Sequence, residues 1–365
     1  MSSAAAVREP PIPSGPDAIT PEWLTAALRH SNVAAGATVK SLKWMPLKRG
    51  RLSRIVRIHP DFTPGSTTGP RSIIAKLHPL NPASRELVNS FAATETGFYK
   101  NLAARSELRT PHCYYGRHDP ETSRFVLLIE DLEANSRRFE RDTCTPSEAE
   151  LALRNLAAFH AASWDGPGRD RPAFLKRLED SEHAALQGAG LPVLLAEIPA
   201  IDSESRDSTE REYVLVRNRL SRAPLTIVLD DLHVGNLFQG MDAGRPVITF
   251  IDFQFVCLAR GPLDVARLLA GSLTRDARRA GEMRLLRTYH DVLTSGGVMD
   301  YSHEDCLRDY RLGLLWGLLR LATNNLMMKA ISVEAPPCGR TELARQIERF
   351  SAAVDDLDCR ELLRD

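Results

Sequence analysis

The sequence has no excess of charge of either sign: 47 Lys and Arg stand against 47 Asp and Glu. Without a basic field, sequence-independent attraction to a polyanion has no driving force, so nucleic acid is not expected as a partner. Paired cysteines are also missing. The six, at 113, 144, 257, 306, 338 and 359, show no Cys-x-x-Cys spacing for zinc or dithiol chemistry and read as reduced thiols of a cytoplasmic protein. Nor is there an uninterrupted apolar run long enough for a membrane span. The most apolar stretch, 312–328, contains Arg320, Asn324 and Asn325 and follows Asp309 and Arg311, so it reads as a buried helix. The opening MSSAAAVREPPIPSGPD is broken by prolines and has no apolar core of the kind a signal peptide needs; residues 1–19 are expected to be a disordered tail. What is present is 43% hydrophobic residues in a chain of 365, enough for a large core in one elaborate domain or two lobes.

Local patterns divide the chain. Thr20, Pro21 and Glu22 form a helix start, with a capping hydroxyl, a proline at the first helical position and an acid in the first turn. From Val39 to Leu80 come β-rich runs, SLKWM, SRIVRI and SIIAKL, interrupted by the turn-rich HPDFTPGSTTGPR, which predict an antiparallel sheet. One helix is expected from Ala83 to Ala104, then strands at Cys113–Tyr115 and Phe125–Ile129. Beyond Leu132 the pattern turns helical, at 147–164, 208–222, 280–294, 306–328 and 340–357, with only two strand-like pieces, 225–229 and 247–253. The expectation is an α+β, bilobal, protein-kinase-like fold. A β-rich N-terminal lobe with one long helix would span 20–130, and a mainly helical C-terminal lobe 131–365.

Chemistry concentrates where Thr226-Ile-Val-Leu-Asp-Asp-Leu-His-Val-Gly-Asn-Leu-Phe238 is followed by Val247-Ile-Thr-Phe-Ile-Asp252. Phosphoryl transfer needs an acid to orient the attacking hydroxyl and take its proton, and oxygen ligands to hold Mg2+ on the phosphates. Asp231 fits the first role, Asn236 and Asp252 the second. The four-residue gap from Asp231 to Asn236 equals that between the base and the metal-binding asparagine of the kinase catalytic loop, and Asp252 follows an apolar strand as the kinase metal aspartate does. Upstream, Ser72-Ile-Ile-Ala-Lys76-Leu is an apolar strand carrying one lysine. Leu87, Phe91, Glu95, Phe98 and Leu102 recur at helical spacing, which puts Glu95 within an apolar stripe. A carboxylate facing a core needs a partner, and Lys76 is the expected one.

Together with Gly261-Pro262 and Asp264-Val-Ala-Arg-Leu-Leu, these motifs resemble the aminoglycoside phosphotransferase and choline kinase superfamily, and within it the ecdysteroid-kinase-like branch, over nearly all of residues 20 to 360. Glu95-x-x-Phe98-Tyr99 and Phe125-Val-Leu-Leu-Ile-Glu-Asp-Leu132 also look like that branch. The resemblance implies ATP or GTP as phosphate donor, with adenine bonded to the backbone around Glu130, Asp131 and Leu132, and a small-molecule hydroxyl as acceptor in the helical lobe. A peptide Ser or Thr hydroxyl is an alternative acceptor, and a nucleotide-binding pseudokinase acting through a partner is an alternative function. No membrane association is expected, and oligomeric state is not legible.

Two features depart from the family pattern. Leu229 and Asp230 stand where the family usually has histidine and glycine before the catalytic aspartate, which should weaken the brace of the loop without removing the base. Alternation along the strand is expected to point Asp230 away from the acceptor. The loop that should cover the phosphates, Pro46-Leu-Lys-Arg-Gly-Arg-Leu-Ser-Arg54, keeps only Gly50 and would rely on Lys48, Arg49, Arg51 or Ser53. His160 and Cys257 read as packed core residues, His233 either touches substrate or fills the loop, and Trp316 and Arg320, at helical spacing, read as core packing with lining of the acceptor pocket as the alternative.

Overall fold

A computed structural model describes residues 9–364 except 32–33, 35, 48–52, 67–68, 140–141, 165–171, 173, 182–183, 186–187, 189–190, 192–202 and 332–339, and excludes the side chains of 203–206, 322–331 and 340–342. The phosphate-covering cations Lys48, Arg49 and Arg51 therefore lie outside the described residues. The chain divides into two compact units, residues 1–104 with 110–136, and residues 105–109 with 137–365.

The first unit is built on an antiparallel sheet in the order β1-β2-β3-β5-β4, with β1 at Val39–Leu47, β2 at Arg54–Phe62, β3 at Ile73–Leu77, β4 at Cys113–Asp119 and β5 at Arg124–Glu130. Helix α1, Pro21–His30, starts as expected: the Thr20 side chain accepts the Trp23 N–H at 3.1 Å. It buries Trp23, Leu24, Ala27 and Leu28 in one cluster with Val56, Ile58, Ile73, Ala75, Leu77 and Leu128. Because β3 alternates, Lys76 faces the opposite side from Ala75 and Leu77.

Two expectations for this unit are corrected. The helix predicted as continuous from Ala83 to Ala104 is broken into α2, Pro82–Leu87, and α3, Asn89–Asn101, at Val88 with φ −99° and ψ 4°. Asn89, at the start of α3, bonds outside the helix, to His118 Nε2 at 2.6 Å and the Pro120 carbonyl at 3.2 Å, a competition typical of asparagine. Leu87 is consequently 37% exposed, and the buried stripe begins at Phe91. The segment 9–19 is not loose either. The Pro10 carbonyl accepts from Tyr115 Oη at 2.9 Å and Arg117 Nη1 at 2.7 Å, and the Pro11 carbonyl from Trp23 Nε1 at 2.7 Å. Prolines have no N–H to satisfy, so an extended segment rich in them can be bound through its carbonyls alone.

In the second unit the described helices are α4 Pro146–Ala162, α5 Ser203–Leu220, α6 Pro262–Ser272, α7 Arg275–Ser295, α8 His303–Ile331 and α9 Arg340–Asp356. Helix α6 is buried along its whole length and packs on α8. The approach is close enough to require Gly313, since a Cβ there would lie 2.9 Å from the Leu263 Cα. More strands are present than the two predicted: β6 Ser136–Arg138, β7 Thr226–Val228, β8 Leu237–Asp242, β9 Arg245–Phe250 and β10 Cys257–Ala259. Strand β8, Leu-Phe-Gln-Gly-Met-Asp, carries little β-propensity of its own. It forms because a two-residue turn, Ala243 at φ +47° and Gly244 at φ +77°, folds it onto β9 with Leu237 opposite Phe250. Strand β7 pairs with β10, and all six residues of that pair are buried.

Candidate active site

In the first unit, the Lys76 ammonium lies 2.7 Å from both carboxylate oxygens of Glu95, inside the core, so the expected pair is present. At the end of β5, the Glu130 N–H donates to the His112 carbonyl at 2.8 Å, and its carboxylate accepts the His112 N–H at 3.1 Å. The buried Asp131 carboxylate is gripped by Arg57 through two hydrogen bonds, 2.6 and 3.1 Å, and also caps the Glu133 N–H at 3.3 Å. Both acids thus have structural partners.

The second unit positions Asp231. The chain leaves β7 at Leu229 and enters a loop fixed mainly by α6. The Asp264 carboxylate accepts the backbone N–H of Leu229 at 2.6 Å and of Asp230 at 2.8 Å, and Ser272 Oγ accepts that of Val234 at 2.9 Å. Asp264 is fully buried with His160 Nε2 at 3.4 Å, and His160 Nδ1 is 2.8 Å from the Tyr289 hydroxyl. Gly261, just before α6, is required by this packing: a Cβ there would sit 2.4 Å from the Tyr289 hydroxyl and 2.9 Å from His160 Nδ1.

Asp230 occupies the left-handed region at φ +54°, a conformation that glycine adopts freely and aspartate tolerates. Strand alternation does not apply to it, because β7 has already ended at Val228. Its carboxylate is directed inward for a different reason: Trp316 Nε1 donates to Oδ1 at 2.9 Å, and Arg320 Nη1 lies 2.7 Å from the same atom. Asp231 keeps 18% of its side chain exposed and accepts from Arg267 Nη2 at 3.0 Å. Burial pushes its carboxyl upward, but Arg320, His233 and Arg267 outweigh that and hold it below the usual carboxylate range.

Asn236 closes the loop. Its Nδ2 donates to the Asp231 carbonyl at 3.0 Å, its N–H to the His233 carbonyl at 2.8 Å, and its carbonyl accepts from Ile251 at 3.0 Å. The amide nitrogen is thus committed, which leaves the side-chain oxygen as the atom that could hold a metal. Asp252, also left-handed at φ +69°, follows Ile251, whose N–H is bonded to the Asn236 carbonyl, so the hairpin register brings the two predicted metal ligands to the same end of the β8–β9 hairpin. Both supply hard oxygen donors, the type magnesium takes. Among the described residues no group of three His, Cys, Asp or Glu side chains forms a metal cage. Two protein oxygens with the remainder from phosphates and water is the usual arrangement for nucleotide-bound magnesium.

Sequence reasoning gave Trp316 and Arg320 only as the less favoured lining of an acceptor pocket, and assigned no individual role to Asp264 or Arg267. Their signal was present: Asp264 and Arg267 lie inside a helix otherwise fit for burial, and Arg320 inside the apolar run, one helical turn after Trp316. Charges in such positions require partners.

The profile of the phosphotransferase enzyme family matches residues 66–300. An uncharacterized kinase-like protein of Caenorhabditis elegans is 25% identical over 228 residues, 58% of this chain, and the chain spans 58% of that relative's length. The ethanolamine kinase of Plasmodium vivax superposes with a TM-score of 0.53 at 13% identity, over 92% of this chain and 89% of that one. An amicoumacin kinase solved with AMP-PNP, Ca2+ and Ami superposes with a TM-score of 0.53 at 14% identity, over 88% of each chain. The structural likenesses establish a kinase-like fold, and because the family profile covers well over half of the sequence, including Lys76, Glu95, Asp231, Asn236 and Asp252, the chain belongs to the phosphotransferase enzyme family.

Proposed function

We propose that this protein transfers the γ-phosphate of ATP or GTP, with magnesium, to the hydroxyl of a small molecule such as an antibiotic, a sugar-containing metabolite or another alcohol. The observation that carries this reading is the clasp in which Asn236 Nδ2 binds the Asp231 carbonyl at 3.0 Å. It ties a partly exposed carboxylate and an oxygen ligand into one short loop, the minimum a phosphoryl-transfer centre requires. The fold shared with an ethanolamine kinase, and with an amicoumacin kinase that binds AMP-PNP and Ca2+, supports the same reading.

The roles follow from the chemistry of each group. Asp231, held ionised by neighbouring guanidinium groups, orients the acceptor hydroxyl and takes its proton late, as the oxygen–phosphorus bond forms and the bond to the departing nucleoside diphosphate breaks. Lys76, oriented by Glu95, serves as the phosphate-binding amine. Backbone groups around Glu130, Asp131 and Leu132 serve the adenine, since the acidic side chains there are engaged elsewhere. Asn236 Oδ1 and the Asp252 carboxylate would hold magnesium, which neutralises charge on the phosphates.

The test is transfer of label from γ-labelled ATP and GTP to a panel of hydroxylated amines, sugars and antibiotics, with and without magnesium, alongside Asp231→Asn. Acceptor-dependent labelling that vanishes in the variant is the expected result. Nucleotide binding without transfer to any member of a broad panel would favour a pseudokinase, and absence of nucleotide binding would overturn the proposal altogether.

A further inference from the structure

Asp230 and Arg320 are both fully buried, and together they form an ion pair directly beneath the catalytic loop. Leu229, the residue before them in the loop, has no polar atom with which to brace Asp231. Three observations converge on how the brace is supplied instead. Asp230 adopts φ +54°, which turns its carboxylate out of the line of the strand and down to α8. There Trp316 Nε1 and Arg320 Nη1, one helical turn apart, converge on the single atom Oδ1 at 2.9 and 2.7 Å. The other terminal nitrogen of the same guanidinium, Nη2, lies 3.7 Å from Asp231 Oδ1, and the guanidinium carbon sits over the Phe255 ring, 4.6 Å from its centroid.

A planar, rigid fork that pairs with Asp230 at 2.7 Å and comes within 3.7 Å of Asp231 couples the two consecutive carboxylates electrostatically, in a geometry a lysine at the same place would not reproduce. Arg267 completes the arrangement from α6 by donating to the same Asp231 oxygen at 3.0 Å. Both guanidinium groups thus approach the same oxygen of Asp231, Oδ1.

We infer that Asp230, Trp316 and Arg320 act as positioning residues: α8 sets the orientation of Asp231 through a buried Asp230–Arg320 pair, in place of a brace from the loop itself. This inference rests on Asp231 being the acceptor-side base and specifies what aims it. Burial of a charge pair is not by itself evidence of such a role, because a pair can serve the fold alone. The experiment must therefore separate folding from aim.

Four proteins make the comparison: wild type, Arg320→Lys, Arg320→Met, and the double variant Asp230→Asn with Arg320→Met, which removes both buried charges. Each is measured for melting temperature, affinity for magnesium–ATP by calorimetry, and kcat and KM with an acceptor the wild type uses. Arg320→Met removes the guanidinium from the buried Asp230 carboxylate and should melt early. The double variant should regain most of that loss, yet retain a kcat at least about tenfold below wild type with nucleotide affinity within about threefold, as expected for a misaimed base. Arg320→Lys, which keeps the charge and folds even if Arg320→Met does not, should show the same split.

Recovery of kcat to within about twofold of wild type in the double variant, or an unchanged kcat in Arg320→Lys, would overturn the inference and leave the pair a purely structural feature. If the wild type transfers phosphate to nothing, the proposed function fails separately. The contact is then read from 15N-arginine side-chain resonances. Asp231→Asn should shift the signals of both Arg267 and Arg320, and an Arg320 signal that does not move rejects the inference without any turnover measurement.

Discussion

Replacing Lys76 by methionine removes one half of a buried ion pair. Lys76 is 8% exposed and Glu95 4%, with the ammonium 2.7 Å from both carboxylate oxygens. Deleting the lysine strands an ionised or newly protonated Glu95 in a site built for a charge, and such truncations destabilise by about 3–5 kcal/mol. At about 2–4 °C per kcal/mol for a domain of this order of size, melting should fall by about 10 °C. Changing both residues, Lys76→Met with Glu95→Leu, removes the stranded charge and should restore most of the stability, because a well-packed apolar pair is often as good as a buried ionic one. The two effects divide stability from function: the double variant should fold, yet bind magnesium–ATP at least about tenfold more weakly than wild type for want of the phosphate-binding amine. Urea unfolding followed by the fluorescence of Trp23, buried in the core of the same unit, supplies the stability arm, and calorimetry the binding arm. A Lys76→Met protein within about 0.5 kcal/mol of wild type would refute the claim that the pair is buried and coupled. A double variant with undiminished nucleotide affinity would refute the role of Lys76.

Other outcomes follow from the same geometry. Asp231→Asn should leave nucleotide affinity within a few-fold and lower turnover by roughly 10² or more in a steady-state assay, because shape is kept and basicity lost. Asp252→Asn, which removes a charged oxygen ligand, should abolish most of the magnesium-dependent gain in ATP affinity, measured by titrating ATP with and without the metal. Asp356 is held down to about 2 by Arg279, with burial opposing and Arg278 assisting. Its folded value lies below the unfolded 3.8, so its stabilising effect is present above that pH and lost as pH falls toward 2. Urea unfolding should therefore show Asp356→Asn less stable than wild type at neutral pH by no more than about 1 kcal/mol, since Arg279 is half exposed, with the difference closing in acid.

Element type was legible wherever the hydrophobic period was strong. The sheet runs of the first unit, the Thr20 cap and the long helices of the second all follow from local pattern. The failures have local physical causes. Nothing in Leu237–Asp242 reads as a strand, and it becomes one only through its turn onto β9. The break at Val88 arises from Asn89 bonding to His118 and Pro120, partners about thirty residues distant in sequence and invisible to helical periodicity. The proline-rich opening has the composition of a tail, yet its carbonyls are bound by Trp23, Tyr115 and Arg117. Composition describes what a segment can bury by itself, not what a neighbouring surface will bond to it.

The candidate site divides in the same way. Asp231, Asn236 and Asp252 were proposed from spacing because their relation is carried by one loop and one hairpin, and the pairing of Lys76 with Glu95 was legible because a charge in an apolar stripe demands a partner. Asp230 was expected to point away from the acceptor by strand alternation, but it lies beyond the strand whose alternation was invoked. What directs it is α8, some ninety residues later, through Trp316 and Arg320. The same reasoning that paired Glu95 applies to Arg320, which interrupts the most apolar run in the chain, and to Arg267, buried in α6. Each needed a carboxylate, and the adjacent pair Asp230–Asp231 offered two. Pairing these interior charges from sequence would have identified the brace of the loop. On the inference drawn above, a leucine in place of histidine moves the support of Asp231 from the loop to the helices behind it.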